Sequence, residues 1–101
     1  SYQIMENIAI LYQQSDQLDY AEEVLMEMNE QYPDLYRTYK RLAFLEADKQ
    51  QRKANSERDY TAMKEYYETA LALYQEQGEY DAEMEQLANM MRELEAGNWF
   101  E

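Results

Sequence analysis

The sequence predicts an all-α domain, on three observations. Only two Gly and one Pro occur in 101 residues, too few for strands joined by tight turns. Gln, Glu, Ala, Leu, Met and Lys, all good helix formers, are abundant. Apolar residues recur at helical spacing almost throughout, as they do in helices that bury one face.

Five helices follow in order. The first is predicted over about residues 3–14, with Met5, Ile8, Ala9 and Tyr12 on one face and Leu11 beside it. "QSDQLD" breaks it, and Asp16 or Asp19 is placed to cap the next helix. That second helix uses Leu18, Ala21, Leu25 and Met28, and ends near Tyr32, because Pro33 disfavours helix at the residue before it. Asp34 is placed to cap a third helix, which carries Leu35, Tyr39, Leu42, Ala43 and Ala47 and continues to about Ala54. Ser56, with Asp59 three residues on, resembles a weak capping box for the fourth. Its buried stripe is Tyr60, Met63, Tyr67, Ala70, Leu71 and Tyr74, and Gly78 ends it. The fifth sets Tyr80, Met84, Leu87, Ala88, Met91 and Leu94 against an acidic and polar side, and Gly97 closes it. The tail "NWFE" is expected to fold Trp99 or Phe100 back over the last helix. Short joints make neighbouring helices antiparallel.

Composition narrows function. Without Cys there are no disulfides or thiolate metal sites, and without His the commonest general base and metal ligand are missing. There is no glycine-rich phosphate loop, and "SDQLD" lacks the alternating ligands and glycine of a calcium loop. The many carboxylates read as solvated helix surface, so no enzyme, no cofactor and no metal are expected. No run reaches the eighteen or so apolar residues of a membrane span. The chain starts at Ser1, as an excised domain would, and a cytoplasmic location is the default expectation.

Charge is unevenly spread. The formal net charge is -13, with eight acids and no base in residues 1–36. Residues 37–58 hold seven bases and three acids; residues 59–101 hold eleven acids and two bases. An acidic chain with one basic island repels nucleic acid over most of its surface. The island's centre, "KQQRKANSERDY", is expected to be the solvated side of a hairpin. Of the eleven Tyr, Tyr12, Tyr39, Tyr67 and Tyr74 fall on buried stripes. Tyr32, Tyr36, Tyr66 and Tyr80 lie near helix ends or off the stripes, where a partner could meet them.

The spacing is specific beyond helicity. The chain reads Met5-x-x-Ile8-Ala9-x-x-Tyr12, then Ala21-x-x-x-Leu25, Met28 and Pro33. Ala43, preceded by Leu42 and Tyr39, stands 34 residues after Ala9, and Glu46 replaces the Tyr expected after it. Tyr60, Tyr67, Ala70 and Leu71 follow at matching spacing, with Met63 in the slot of Ala21, 42 residues on. This pattern resembles the tetratricopeptide repeat, whose period is about 34 residues. The resemblance covers residues 2–33 and 34–77, the second copy with an eight-residue insertion, and leaves 79–96 as a closing helix. A competing register, with Tyr67 to Tyr74 and "GEY" as a helix-to-helix joint, changes the repeat count but not the fold class. More loosely, the aromatic copy with its basic insertion is similar to segments of bacterial serine/threonine protein kinases.

The resemblance implies a right-handed superhelix of about two and a half helix pairs over residues 1–97, with 98–101 as a tail. It implies a protein-interaction module that takes a partner segment in a concave groove. Carried over by spacing, the groove would present Gln3, Glu6, Asn7, Ile10 and Gln13, then Arg37, Lys40, Arg41, Phe44 and Asp48. Family members that grip a C-terminal carboxylate use Lys and Asn in such slots; Glu6 and Ile10 leave that clamp absent or half-formed. Ile10 and Phe44 are expected as an apolar anchor, and Arg37 and Lys40 as contacts for an acidic group. A protein or peptide partner is therefore expected, and neither nucleic acid nor membrane. The second reading is structural: the repeats self-associate or pack on another domain of their own chain, such as a kinase.

Overall fold

The computed structural model describes residues 1–97 and holds five α-helices, α1 (Tyr2–Gln14), α2 (Leu18–Gln31), α3 (Tyr36–Gln51), α4 (Thr61–Gln77) and α5 (Ala82–Glu95). A short 3₁₀ turn, Asn55–Glu57, precedes α4. The tail with Trp99 and Phe100 lies outside the described residues. No helix among the described residues is long and apolar enough to cross a membrane.

Ring and side-chain contacts give the helix directions. Tyr2 meets Tyr32 at 5.7 Å and Tyr12 meets Tyr20 at 5.4 Å, so α1 and α2 are antiparallel. Asn29 meets Tyr39 while Glu22 meets Lys49, which reverses α3 against α2. Tyr36 lies on Tyr74 and Tyr39 on Tyr66, which reverses α4 against α3. Tyr2 meets Thr38 and Gln13 meets Asp48, so α1 and α3 run parallel.

Two cores result, and α3 serves both. Leu42 and Leu45 join Ala9, Ala21, Leu25 and Met28 in the first. Ala43 and Ala47 join Tyr60, Met63, Ala70 and the α5 residues Met84, Leu87, Met91 and Leu94 in the second. A helix covered on both sides must also bury polar groups, and each needs a partner. Thr38 shares a hydrogen bond with the Tyr2 hydroxyl, and Gln50 donates to Glu46 while accepting from the Asp59 N–H.

Several helix ends differ from expectation. Asp16 and Asp34 do not cap helices; both take left-handed backbone, at φ 64° and 62°, which Asp tolerates better than most residues. Asp19 lies inside the first turn of α2 and does not cap it either. The start of α3 is held from outside: the Gln77 side chain accepts from the Tyr36 N–H and donates to the Asp34 carbonyl. α3 stops at Gln51 rather than near Ala54, where Arg58 donates to the carbonyls of Gln51 and Lys53. Ser56 sits in the 3₁₀ turn, and Asp59 instead accepts from the N–H and hydroxyl of Thr61. Ile8, expected on the inner face, is exposed, because positions 2, 6 and 13 meet α3 and 5, 9 and 12 meet α2. Tyr80, expected on the buried stripe of α5, precedes that helix and is 77% exposed; the neighbouring Asp81 caps it. Tyr36 and Tyr66 pack half-buried on the core, leaving Tyr32 and Tyr80 as the exposed members of their group.

The alanines of α3 permit the close approach of its neighbours. Ala43 is fully buried, so Ala43→Leu would overpack the second core and lower stability by about 2 kcal/mol. Urea unfolding followed by far-ultraviolet circular dichroism is the check, with an unchanged midpoint as the contrary result.

Candidate functional site

One face of the molecule gathers α1, α3 and the start of α5. Its floor is a run of alternating charges. Arg37 donates to Glu6, a carboxylate only 1% exposed, and Arg41 Nε reaches the same group at 3.3 Å. The two terminal nitrogens of Arg41 then clasp Glu83 at 2.9 and 3.1 Å, a bidentate geometry suited to carboxylate. Lys40, 2% exposed, reaches Glu83 at 3.0 Å and Asp81 at 2.7 Å. Three cations and three anions thus join three helices with no net charge. Rings brace it, since Arg37 lies 5.9 Å from the Tyr2 ring centre and Lys40 5.9 Å from that of Tyr36.

The charge states follow. Burial pushes the Asp81 carboxyl up, but hydrogen bonds from Lys40, the Glu83 N–H and Tyr36 outweigh it and hold it below the usual carboxylate range. Burial also raises Glu83, and Arg41 with Lys40 reverses the effect. The Tyr36 hydroxyl, partly buried and donating to Asp81, is pushed up to about 12.

Beside this floor runs a groove of about 340 Å³, lined by Ile10, Gln13, Gln14, Arg41, Phe44, Asp48, Glu83 and Gln86. Ile10, Gln13, Arg41, Phe44 and Asp48 are therefore brought together as the spacing predicts. Gln13 donates to Asp48 across the groove at 3.4 Å, and Arg52 also holds Asp48. Gln3 and Asn7 are exposed and bonded to each other farther along α1, outside the groove lining. Glu6 and Lys40 lie beneath the surface, and Arg37 is turned onto Glu6. Arg37 and Lys40, expected to receive a partner's acidic group, are both paired with carboxylates of the fold. The groove thus presents the apolar Ile10 and Phe44 beside the amides of Gln13, Gln14 and Gln86 and the paired charges of Arg41, Asp48 and Glu83.

Sequence reasoning missed Gln14 and the whole contribution of α5. With residues 79–96 read only as a closing helix, no groove position is assigned to Glu83 or Gln86. The usable signal was charge: Arg37, Lys40 and Arg41 require acids, and Asp81 and Glu83 open the next helix on that face.

Part of the basic island is paired with acids of the neighbouring helices. Lys49 pairs with Glu22 and Glu46, and Arg52 with Asp16 and Asp48. These bases tie α3 to the α1–α2 hairpin, while residues 51–57 are exposed, as expected of the solvated side of a hairpin.

Lys40→Ala leaves Asp81 and Glu83 without their shared cation and is expected to cost about 2–3 kcal/mol of stability in urea unfolding at pH 7. The wild type should also weaken in acid. Asp81 and Glu83 titrate lower when folded than unfolded, so their contribution is complete above about pH 5. It is lost as pH falls through their depressed folded values. Urea midpoints at pH 7 and pH 3.5 measure this, and the drop should be smaller in Lys40→Ala; an equal drop contradicts the network.

No protein-family model, curated protein or solved structure matches the chain.

Proposed function

We propose that the chain is a non-catalytic interaction module of tetratricopeptide type, which takes a segment of a partner protein in the groove between α1, α3 and α5. The observation that carries this reading is that groove, where an apolar floor with amide edges stands on an internally neutralised base. An extended segment with an apolar side chain fits it better than an acidic one, because no cation on its floor lacks a carboxylate.

Matched burial supports the repeat reading. Ala9 and Ala43, 34 residues apart, are both buried, and so are Glu6 and Lys40 at the same separation. Ala21 and Met63, and Met28 and Ala70, each 42 residues apart, are buried in their helices. The eight-residue excess falls mainly in the joint: nine residues separate α3 from α4, against three between α1 and α2. In this reading α1, α3 and α5 line the concave side of a right-handed superhelix, and α2 and α4 its outer side.

The test uses peptides selected on the wild-type protein from a random display library, with affinity measured by fluorescence anisotropy. Phe44→Ala and Ile10→Ala should each weaken binding about tenfold, while Tyr32→Ser, outside the groove lining on the α1–α2 hairpin, leaves it unchanged. Because the groove floor is neutral, affinity should change little between low and moderate salt. Equal affinities for wild type and both groove variants would sink the assignment.

A further inference from the structure

Exposed apolar surface is concentrated at one end of the molecule. Among the described residues, Ile4, Ile8, Leu11, Tyr20, Met26 and Tyr32 belong to the α1–α2 hairpin, and Tyr80 is the one such exposed side chain elsewhere. Ile4, Ile8 and Leu11, at 60%, 41% and 63% exposure, follow helical spacing on the side of α1 opposite α3. Tyr20 continues the same side, its ring against Tyr12. Three large aliphatic side chains on one unpartnered stripe form a continuous face rather than scattered exposure.

The charge around that face has one sign. Residues 1–36 contain eight acids and no base. Glu6, Asp16 and Glu22 are neutralised by cations of α3 and its C-cap. Glu23 and Glu27 form no ion pair among the described residues and are both exposed, one turn apart on α2. Two copies of this chain meeting here would bring two such acidic hairpins together. An anionic surface would be repelled in the same way.

We propose that the outward face of the α1–α2 hairpin docks a cationic amphipathic helix of a partner protein, its apolar side on Ile4, Ile8 and Leu11 and its basic side on Glu23 and Glu27. Two turns of helix match the length of the stripe, and apolar anchors with charged flanks are the usual grammar of helix docking. This face is separate from the groove between α1, α3 and α5, so both segments could be bound at once.

The probe is a fluorescein-labelled 18-residue peptide of Leu and Lys with every Leu on one helical face. A scrambled peptide of the same composition keeps the charge without the face. Anisotropy should give at least about tenfold tighter binding of the amphipathic peptide, and affinity should fall steeply with salt. The double variant Ile8→Ser/Leu11→Ser should weaken binding about tenfold, and both positions are exposed enough to leave the fold intact, which circular dichroism checks. Glu23→Gln/Glu27→Gln should weaken binding and flatten its salt dependence. Phe44→Ala should change nothing, so failure here and failure of the groove are read separately. Equal binding of the two peptides, or an unaffected Ile8→Ser/Leu11→Ser variant, overturns the proposal in favour of diffuse attraction. A concentration-dependent dimer in sedimentation that this variant abolishes also overturns it, and assigns the face to a second copy.

Discussion

The structure depends on the need of α3 to find carboxylates. It is the central helix, with leucines in one core and alanines in the other, and it carries Arg37, Lys40, Arg41 and Lys49. Lys40, enclosed by the helices around it, cannot leave its charge to bulk water, and Arg41 is largely covered as well. Burying a charge without a partner costs several kcal/mol, whereas a buried ion pair completed by hydrogen bonds roughly breaks even. The acids that complete these pairs come from α1, α2 and α5, which fixes where those helices sit.

This arrangement also determines the outer surface. The net charge of -13 includes nine bases, and five of them, Arg37, Lys40, Arg41, Lys49 and Arg52, are taken up in ion pairs. The basic island, which on a linear map looks like a place for an anionic ligand, is therefore largely a counterion to the acidic helices around it. The exterior of the hairpin α1–α2 is left strongly acidic. A partner approaching from solvent meets that field before it meets any groove.

Helix number, order and most apolar positions were legible in the sequence, because a 3.6-residue period survives any tertiary arrangement. Ala9, Ala21, Leu25, Met28, Ala43, Met63 and Ala70 are all buried as the spacing requires. The groove was half legible for the same reason: Ile10, Arg41 and Phe44, singled out by their spacing, line one cavity. What could not be read were features set by residues distant in sequence. The cap of α3 comes from Gln77, so the nearby Asp34 is a misleading local signal. Glu6 and Lys40 look like surface residues by type, and only the convergence of three helices buries them. Ile8 fits its pattern slot, yet the face of α1 that a third helix covers is rotated away from it.

The signs of the buried charges alternate from helix to helix along this face: acid in α1, base in α3, acid at the head of α5. Each of these helices therefore attracts its neighbour and repels the next but one. If α1 and α5 were stacked directly, Glu6 would face Asp81 and Glu83 with no cation between them. The charge run thus encodes the order of assembly as well as its strength. Where apolar packing alone scarcely distinguishes one helix from another, that polarity guards against shuffled or exchanged helices.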